Sequence, residues 1–182
     1  MSPSPGAVQL SAVAFDHPAA VALRADHMAA GDRLYASDPA ALHRSGSEDL
    51  DPRSVVTTVV AHRADRPVGH ACLRRLDDVV SPGMAGELEI KRMYVVPDER
   101  GRGVADLLLD AMHAAARDAG AARVVIHTGD RQVPALRFYA RHGYVPIEVF
   151  EPYRAVTYSL CFEKLLDRPG PPADVRSDVT RG

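Results

Sequence analysis

Two periods of apolar residues alternate along this chain. Short runs crowded with apolar and β-branched residues read as strands, and apolar positions recurring every three or four residues read as helices. The first run, Val8-Gln9-Leu10-Ser11-Ala12-Val13-Ala14-Phe15, predicts a strand. Asp16 is placed to cap a following helix, with Pro18 in its first turn, that runs through Val21, Leu23 and Met28 towards Tyr35. Residues 38–54 are polar and irregular, with a short helix expected at 39–43. Val55–Ala61 and Val68–Leu76, joined by Asp65-Arg66-Pro67, predict a hairpin. A loop over 77–86 carries Pro82 and Gly83, and Glu87–Val96 reads as the next strand. Val104, Leu108, Ala111, Met112, Ala115 and Ala119 lie on one stripe of a long helix that Gly120 ends. Arg123–Thr128 is a short buried strand. Pro134 opens another helix through Leu136, Phe138 and Tyr139, closed by Gly143. Val145–Phe150 and Val156–Leu166 are the last strands, with Val156, Tyr158, Leu160 and Phe162 sharing a face of the second.

The resulting order, β-α-α-β-β-β-α-β-α-β-β, describes one sheet with helices packed on it. Composition agrees with a single soluble domain: 182 residues, 46% hydrophobic and 25% charged. A net charge of −2 lacks the basic excess of a nucleic-acid binder. No apolar run is long enough for a membrane helix, and Met1–Gly6 lacks the charged and apolar regions of a signal peptide, so a cytoplasmic protein with neither nucleic-acid nor membrane partners is expected. Pro, Ser and Gly mark 1–6 as a disordered start. Arg168-Pro169-Gly170-Pro171-Pro172 marks 167–182 as a flexible tail, leaving one domain over 7–166. Cys72 and Cys161 lie in strand-like stretches and read as small buried hydrophobes. There is no Cys-x-x-Cys and no His pair at zinc-site spacing, so no metal is expected.

The most informative stretch runs from Tyr94 to Ala105: strand, glycine turn, helix start. Gly101 and Gly103 allow a tight curl and close approach of a ligand. The amides of the first helical turn and the helix dipole then favour an anion such as a pyrophosphate, with Arg100 and Arg102 adding charge. The Walker pattern is absent. Gly101-Arg102-Gly103 is followed by Asp106 where the dinucleotide fingerprint needs Gly or Ala.

Arg100-x-x-Gly103-x-Ala105 resembles the Gln/Arg-x-x-Gly-x-Gly/Ala signature of the GNAT superfamily of N-acetyltransferases. Downstream, Gln132-x-x-Ala135-x-x-Phe138-Tyr139-x-x-x-Gly143-Tyr144 resembles the family's Asn-x-x-Ala-x-x-Phe-Tyr-x-x-x-Gly-Phe segment, with Gln132 in place of Asn and Tyr144 in place of Phe. The resemblance covers about 8–166. It implies a GNAT-like α/β (α+β) fold: a single mixed, mostly antiparallel sheet of about six to seven strands flanked by about four helices. It also implies acetyl-CoA as donor. Its pyrophosphate would sit on the turn formed by Arg100, Gly101, Arg102, Gly103, Val104, Ala105 and Asp106. Its pantetheine arm would pair with Tyr94, Val95 and Val96, with Gln132 and Tyr139 beside it. By the same resemblance Tyr139 is the general acid for the departing thiolate. Glu89, on a face shared with Glu87, Lys91 and Met93, is the candidate base, acting directly or through water. The Val95 amide could serve the oxyanion, and His127 is an alternative base.

The acceptor implied is a primary amine of a small molecule, bound by the first helix pair and its loop, about 24–51, and by the loop Glu151-Pro152-Tyr153-Arg154. Asp26, Asp32, Asp38, Glu48, Asp49 and Asp51 could attract an ammonium group. Arg74, Arg75 and Arg92 could instead bind a carboxylate, which would point to an amino-acid-like acceptor. A homodimer is expected from the family. Alternatives are a non-catalytic acyl-CoA-sensing module, and transfer of a longer acyl group or to a protein N-terminus.

Overall fold

The computed structural model describes residues 6–37 and 50–167. The expectations for the extreme N-terminus, for a helix at 39–43 and for the C-terminal tail lie outside these residues. The elements are β1 (Val8–Val13), α1 (Pro18–Tyr35), β2 (Val55–Arg63), β3 (Arg66–Arg75), β4 (Leu88–Val95), α2 (Val104–Asp118), β5 (Arg123–Gly129), α3 (Val133–Arg141), β6 (Val145–Ile147) and β7 (Ser159–Leu165). They form one seven-stranded sheet in the order β1-β2-β3-β4-β5-β7-β6. Every neighbouring pair is antiparallel except β4–β5. The α2 crossover between β4 and β5 is what a parallel pair requires. Three α-helices are present among the described residues where about four were expected.

The two faces of the sheet are covered differently. A side chain at Gly69 on β3 would meet Leu108 and Val104 of α2, so that face carries α2. His70, the next residue, meets Arg24 of α1 on the opposite face. Of the expected α2 stripe, Val104, Leu108 and Met112 are buried, Ala111 and Ala115 are half-buried and Ala119 is exposed; Leu109 and Ala116 complete the face buried against β2–β5. Each such leucine contributes about 1.5–3 kcal/mol through burial. A smaller apolar cluster joins Leu76 after β3, Val125 on β5, Cys161 on β7, and Phe150 and Tyr153 from the loop before β7. Both cysteines are buried and free.

Three local expectations are corrected. The cap of α1 is His17, whose Nδ1 accepts from the Ala19 amide at 3.3 Å, one residue after Asp16. The strand expected from Val156 begins at Ser159, because Tyr153–Ala155 forms a 3₁₀ turn that takes up the preceding chain. On β7 the buried residues are accordingly Ser159 and Cys161, while Leu160 is 36% exposed.

Candidate active site

The site starts from an irregularity in β4. Pairing with β3 runs regularly from Arg75↔Leu88 to Cys72↔Lys91, then resumes at His70↔Tyr94, so Arg92 and Met93 together face Ala71. This is a β-bulge, and Arg92 takes a left-handed φ of 56°. The expected alternation that placed Met93 beside Glu89 and Lys91 is therefore broken. Arg92 joins Lys91 on the α1 face, touching the Met28 thioether, while Met93 turns to the other face and receives the Tyr139 hydroxyl at 3.8 Å. On its other edge β4 pairs with β5 only at Leu88↔Val124, Glu89↔Val125 and Ile90↔Ile126. Beyond Ile90 the parallel strands part. The Val96 amide bonds Val68 on β3, so by strand alternation the Val95 amide faces the opening.

The glycine turn lies at the end of that open edge. Pro97–Glu99 forms one 3₁₀ turn, and Gly101 and Gly103 follow with φ of 73° and 80°. Gly103 is the left-handed N-cap of α2. A Cβ at either glycine would meet nothing within 4 Å, so packing does not demand them; the positive φ does, and the space above the turn is open. Arg100 Nε donates to the Val95 carbonyl at 3.0 Å and stitches the turn to β4. Glu99 is buried and paired with Arg63 at 2.9 Å, anchoring the turn from below. The Asp106 carboxylate is held by His142 Nε2 at 2.9 Å and by Arg141 at 3.2 Å, which leaves its backbone as the part facing the turn.

Tyr139 projects from α3 into the gap between β4 and β5. It is buried against Tyr144 and Phe138, and burial raises its phenol well above the usual tyrosine range, so it stays protonated. Gln132 is the N-cap residue of α3 without a side-chain cap bond, and it lines the same gap. A cavity of about 120 Å³ passes through the gap, walled by Tyr139, Met93, Gln132 and Ala135 on one side and by His27, Met28, Lys91, Arg92 and His127 towards α1. Tyr139 walls the gap where β4 leaves β5, and the uncovered glycine turn follows at the end of β4.

Glu89 does not reach that channel. It is fully buried, with Oε2 receiving Arg74 Nε at 2.7 Å and Oε1 receiving the Tyr153 hydroxyl at 2.7 Å. Lys91 Nζ donates to the same hydroxyl at 2.7 Å and lies 3.7 Å from Glu89. The expectation that Glu89 takes a proton directly therefore meets a carboxylate whose oxygens are occupied. Of its hydrogen-bonded and ion-paired neighbours, Lys91 lines the channel. Lys91 is pushed down to about 8, first by burial, with Arg74 and Arg92 adding repulsion and Glu89 opposing it. His127 lines the channel, stacks on Tyr153 at 3.8 Å and bonds Ser159 Oγ at 2.9 Å. Burial and the surrounding cations Lys91, Arg92 and Arg74 push it down to about 2, so it is neutral.

Sequence reasoning did not single out His27, Met28 or Tyr35, which α1 brings to the channel. Tyr35 stacks on Tyr158 at 4.2 Å and accepts from the Arg131 amide at 3.0 Å. It lies so close to Gly129 that a Cβ there would fall 2.0 Å from its hydroxyl. Tyr153, in the loop expected to meet the acceptor, turns its hydroxyl to Glu89, Arg74 and Lys91. Of the acidic residues considered for the acceptor, Asp38, Glu48 and Asp49 lie outside the described residues. Asp26 and Asp32 are exposed, and Asp51 is bonded to Arg53. Among the described residues no cluster of His, Cys, Asp or Glu is arranged to hold a metal ion, and no helix is long and apolar enough to cross a membrane.

Comparison with known proteins agrees with this fold. An N-acetyltransferase of Mycobacterium tuberculosis, itself uncharacterized, is 35% identical over 94 residues, 52% of this chain and 54% of that protein. The match thus spans about half the length of that relative. A Klebsiella pneumoniae structure assigned to the acyl-CoA N-acyltransferases superposes with a TM-score of 0.69 at 25% identity, covering 88% of this chain and 98% of that one. A Bacillus anthracis structure in complex with acetyl coenzyme A has a TM-score of 0.51 at 17% identity, covers 61% of this chain and 62% of that one, and shares the fold. The model of the acetyltransferase (GNAT) family matches residues 22–144, more than half of the sequence, and the chain belongs to that family.

Proposed function

We propose that this protein is an acetyl-CoA-dependent N-acetyltransferase that acetylates a primary amine of a small molecule by direct attack. The observation that carries the reading is the parting of β4 from β5 after Ile90, with the uncovered glycine turn at its end and Tyr139 in its wall. Acetyl-CoA supplies an activated acetyl group as a thioester. The open edge of β4 around Val95 suits an amide-bearing arm, and the amides of Gly103–Asp106, having no acceptor within the helix, suit its pyrophosphate. The side chains of Arg100 and Arg102 add positive charge there, and Gln132 borders the arm's path. Val96 closes the strand edge.

The roles follow from position. The Val95 amide, turned to the opening, would donate to the carbonyl oxygen as charge develops on it. The amine nitrogen forms the new C–N bond as the C–S bond breaks. Tyr139, kept protonated by burial, gives its proton to the leaving sulfur. The amine must shed a proton in exchange. Glu89 would accept it through Tyr153, Lys91 or water, not by contact. We also read the protein as cytoplasmic and homodimeric, to be checked by fractionation and light scattering.

The test is release of free thiol from acetyl-CoA across a panel of amines, with the acetylated product identified by mass. Turnover of one or more small amines is the expected result. Stabilisation by acetyl-CoA without any turnover would contradict an enzymatic role, and a donor preference for longer acyl chains would contradict the acetyl assignment.

A further inference from the structure

The cations around the channel are not equally engaged. Arg74 is spent on Glu89 and Tyr153. Arg75 is exposed and donates to the Gly86 carbonyl, away from the channel. Arg92 differs. The bulge turns it into the wall shared by the channel and a second cavity of about 490 Å³ that opens beside α1. Its hydrogen bond there is to the Met28 thioether, a weak acceptor, and among the described residues no carboxylate lies within ion-pair distance. Arg24 borders the same second cavity. It donates to the Phe15 carbonyl at 2.7 Å, meets His70 Nε2 at 3.5 Å and lies over the Phe15 ring at 3.9 Å, and among the described residues no carboxylate is within ion-pair distance of it. The cavity's own acid, Asp51, is held by Arg53 through both oxygens.

A half-buried guanidinium without a counter-ion forgoes solvation and gains no partner in return. A planar carboxylate matches the guanidinium fork with two parallel hydrogen bonds. We propose that the acceptor is an amine that carries a carboxylate, and that Arg92, with Arg24 across the second cavity, binds that carboxylate while the amine enters the channel towards Tyr139. This rests on the acetyl-transfer reading above and adds the acceptor's chemical class. Both cavities share Met28 and Arg92 as wall, so a bound molecule can span them. The positive surroundings serve the chemistry as well, because like charge disfavours the ammonium form and attack needs the free amine. The imidazoles of His27 and His70, pushed down to about 4, and of His127 add no competing charge near neutral pH.

The test compares acceptors with and without a carboxylate at fixed acetyl-CoA. Phenylalanine, leucine and tryptophan are set against phenethylamine, isopentylamine and tryptamine. The pairs 4-aminobutyrate with propylamine and 6-aminohexanoate with pentylamine vary the distance between the groups. Thiol release is followed for each. The proposal expects at least one carboxylated member to exceed its counterpart by about tenfold or more in kcat/KM, the worth of one charge-assisted contact. Arg92→Gln should then raise the KM of that member and bring the ratio within the pair towards one, and Arg92→Lys should recover part of it. Plain amines matching or exceeding their acids overturns the proposal, as does a ratio that survives Arg92→Gln. Thermal stabilisation by acetyl-CoA is measured alongside. Stabilisation with turnover of plain amines alone sinks the carboxylate assignment and leaves acetyl transfer standing, whereas no stabilisation and no turnover sinks both.

Discussion

At the residue scale the division of labour is set by burial. Tyr139 has a phenol that burial keeps protonated, with a thioether as its hydrogen-bond partner, which suits the acid role proposed for it. Tyr139→Phe removes that proton and little volume. Steady-state kinetics should show kcat falling by about 10²–10⁴-fold, with KM for acetyl-CoA nearly unchanged. Full turnover across the pH range would refute the assignment. Glu89 is of a different kind. A carboxylate sealed under the sheet face, with Arg74, Tyr153 and Lys91 all turned to it, holds three polar groups in place. Glu89→Ala would leave the Arg74 charge without its partner, a change that costs about 3–5 kcal/mol when such a pair is buried. Denaturant unfolding should register that loss. A stability change under ~1 kcal/mol would mean that the cluster is not what holds β3, β4 and the 3₁₀ turn at Tyr153 together.

At the element scale the decisive pieces are a bulge and a turn. Gly103 caps α2 in the left-handed region, which costs a residue with a Cβ about 1–2 kcal/mol. Gly103→Ala should therefore lower the melting temperature by a few degrees and raise KM for acetyl-CoA well beyond what kcat loses. Unchanged KM would separate the turn from the donor. The turn and α3 were legible in the sequence because Gly101, Gly103 and Gly143 mark positions of positive φ, and because Arg100, Phe138 and Tyr139 stand at the offsets of the GNAT signatures that the sequence resembles. The α2 stripe was legible from its period, imposed by one covered face. The bulge was not: nothing in Lys91-Arg92-Met93 signals a left-handed arginine, since no glycine or asparagine stands there, and strict alternation is the natural reading. The burial of Glu89 was equally hidden. A glutamate between leucine and isoleucine reads as the solvent side of a strand unless one knows that Tyr153, more than sixty residues later, folds over it. The covering by α1 and by the 3₁₀ turn is a tertiary fact, so the face proposed for the acceptor was the least readable part of the fold.

At the scale of the whole molecule the sheet separates two chemistries. The face under α2 and α3 is largely apolar and fixes the frame, whereas the face under α1 gathers arginines, a lysine and neutral histidines around the channel. Those histidines make stability depend on acid. His27 and His70 on that face, and His113 on α2 across the sheet, are held from the usual 6.5 down to about 4, with burial the largest cause for each. As pH falls through 6.5 the unfolded imidazoles bind protons that the folded ones refuse until about 4. Stability is thus full above about 6.5 and is lost progressively towards 4. Melting temperatures measured at pH 7, 6, 5 and 4.5 should fall through that series, and a flat profile would show that the imidazoles are not buried as described. The central claim is that the edge of β4 freed from β5, together with the glycine turn, receives acetyl-CoA. Amide-resolved hydrogen exchange with and without saturating acetyl-CoA tests it most directly. The account predicts slowed exchange at Val95 and at Gly103–Asp106; unchanged exchange at these amides, with protection appearing elsewhere or nowhere, would contradict it.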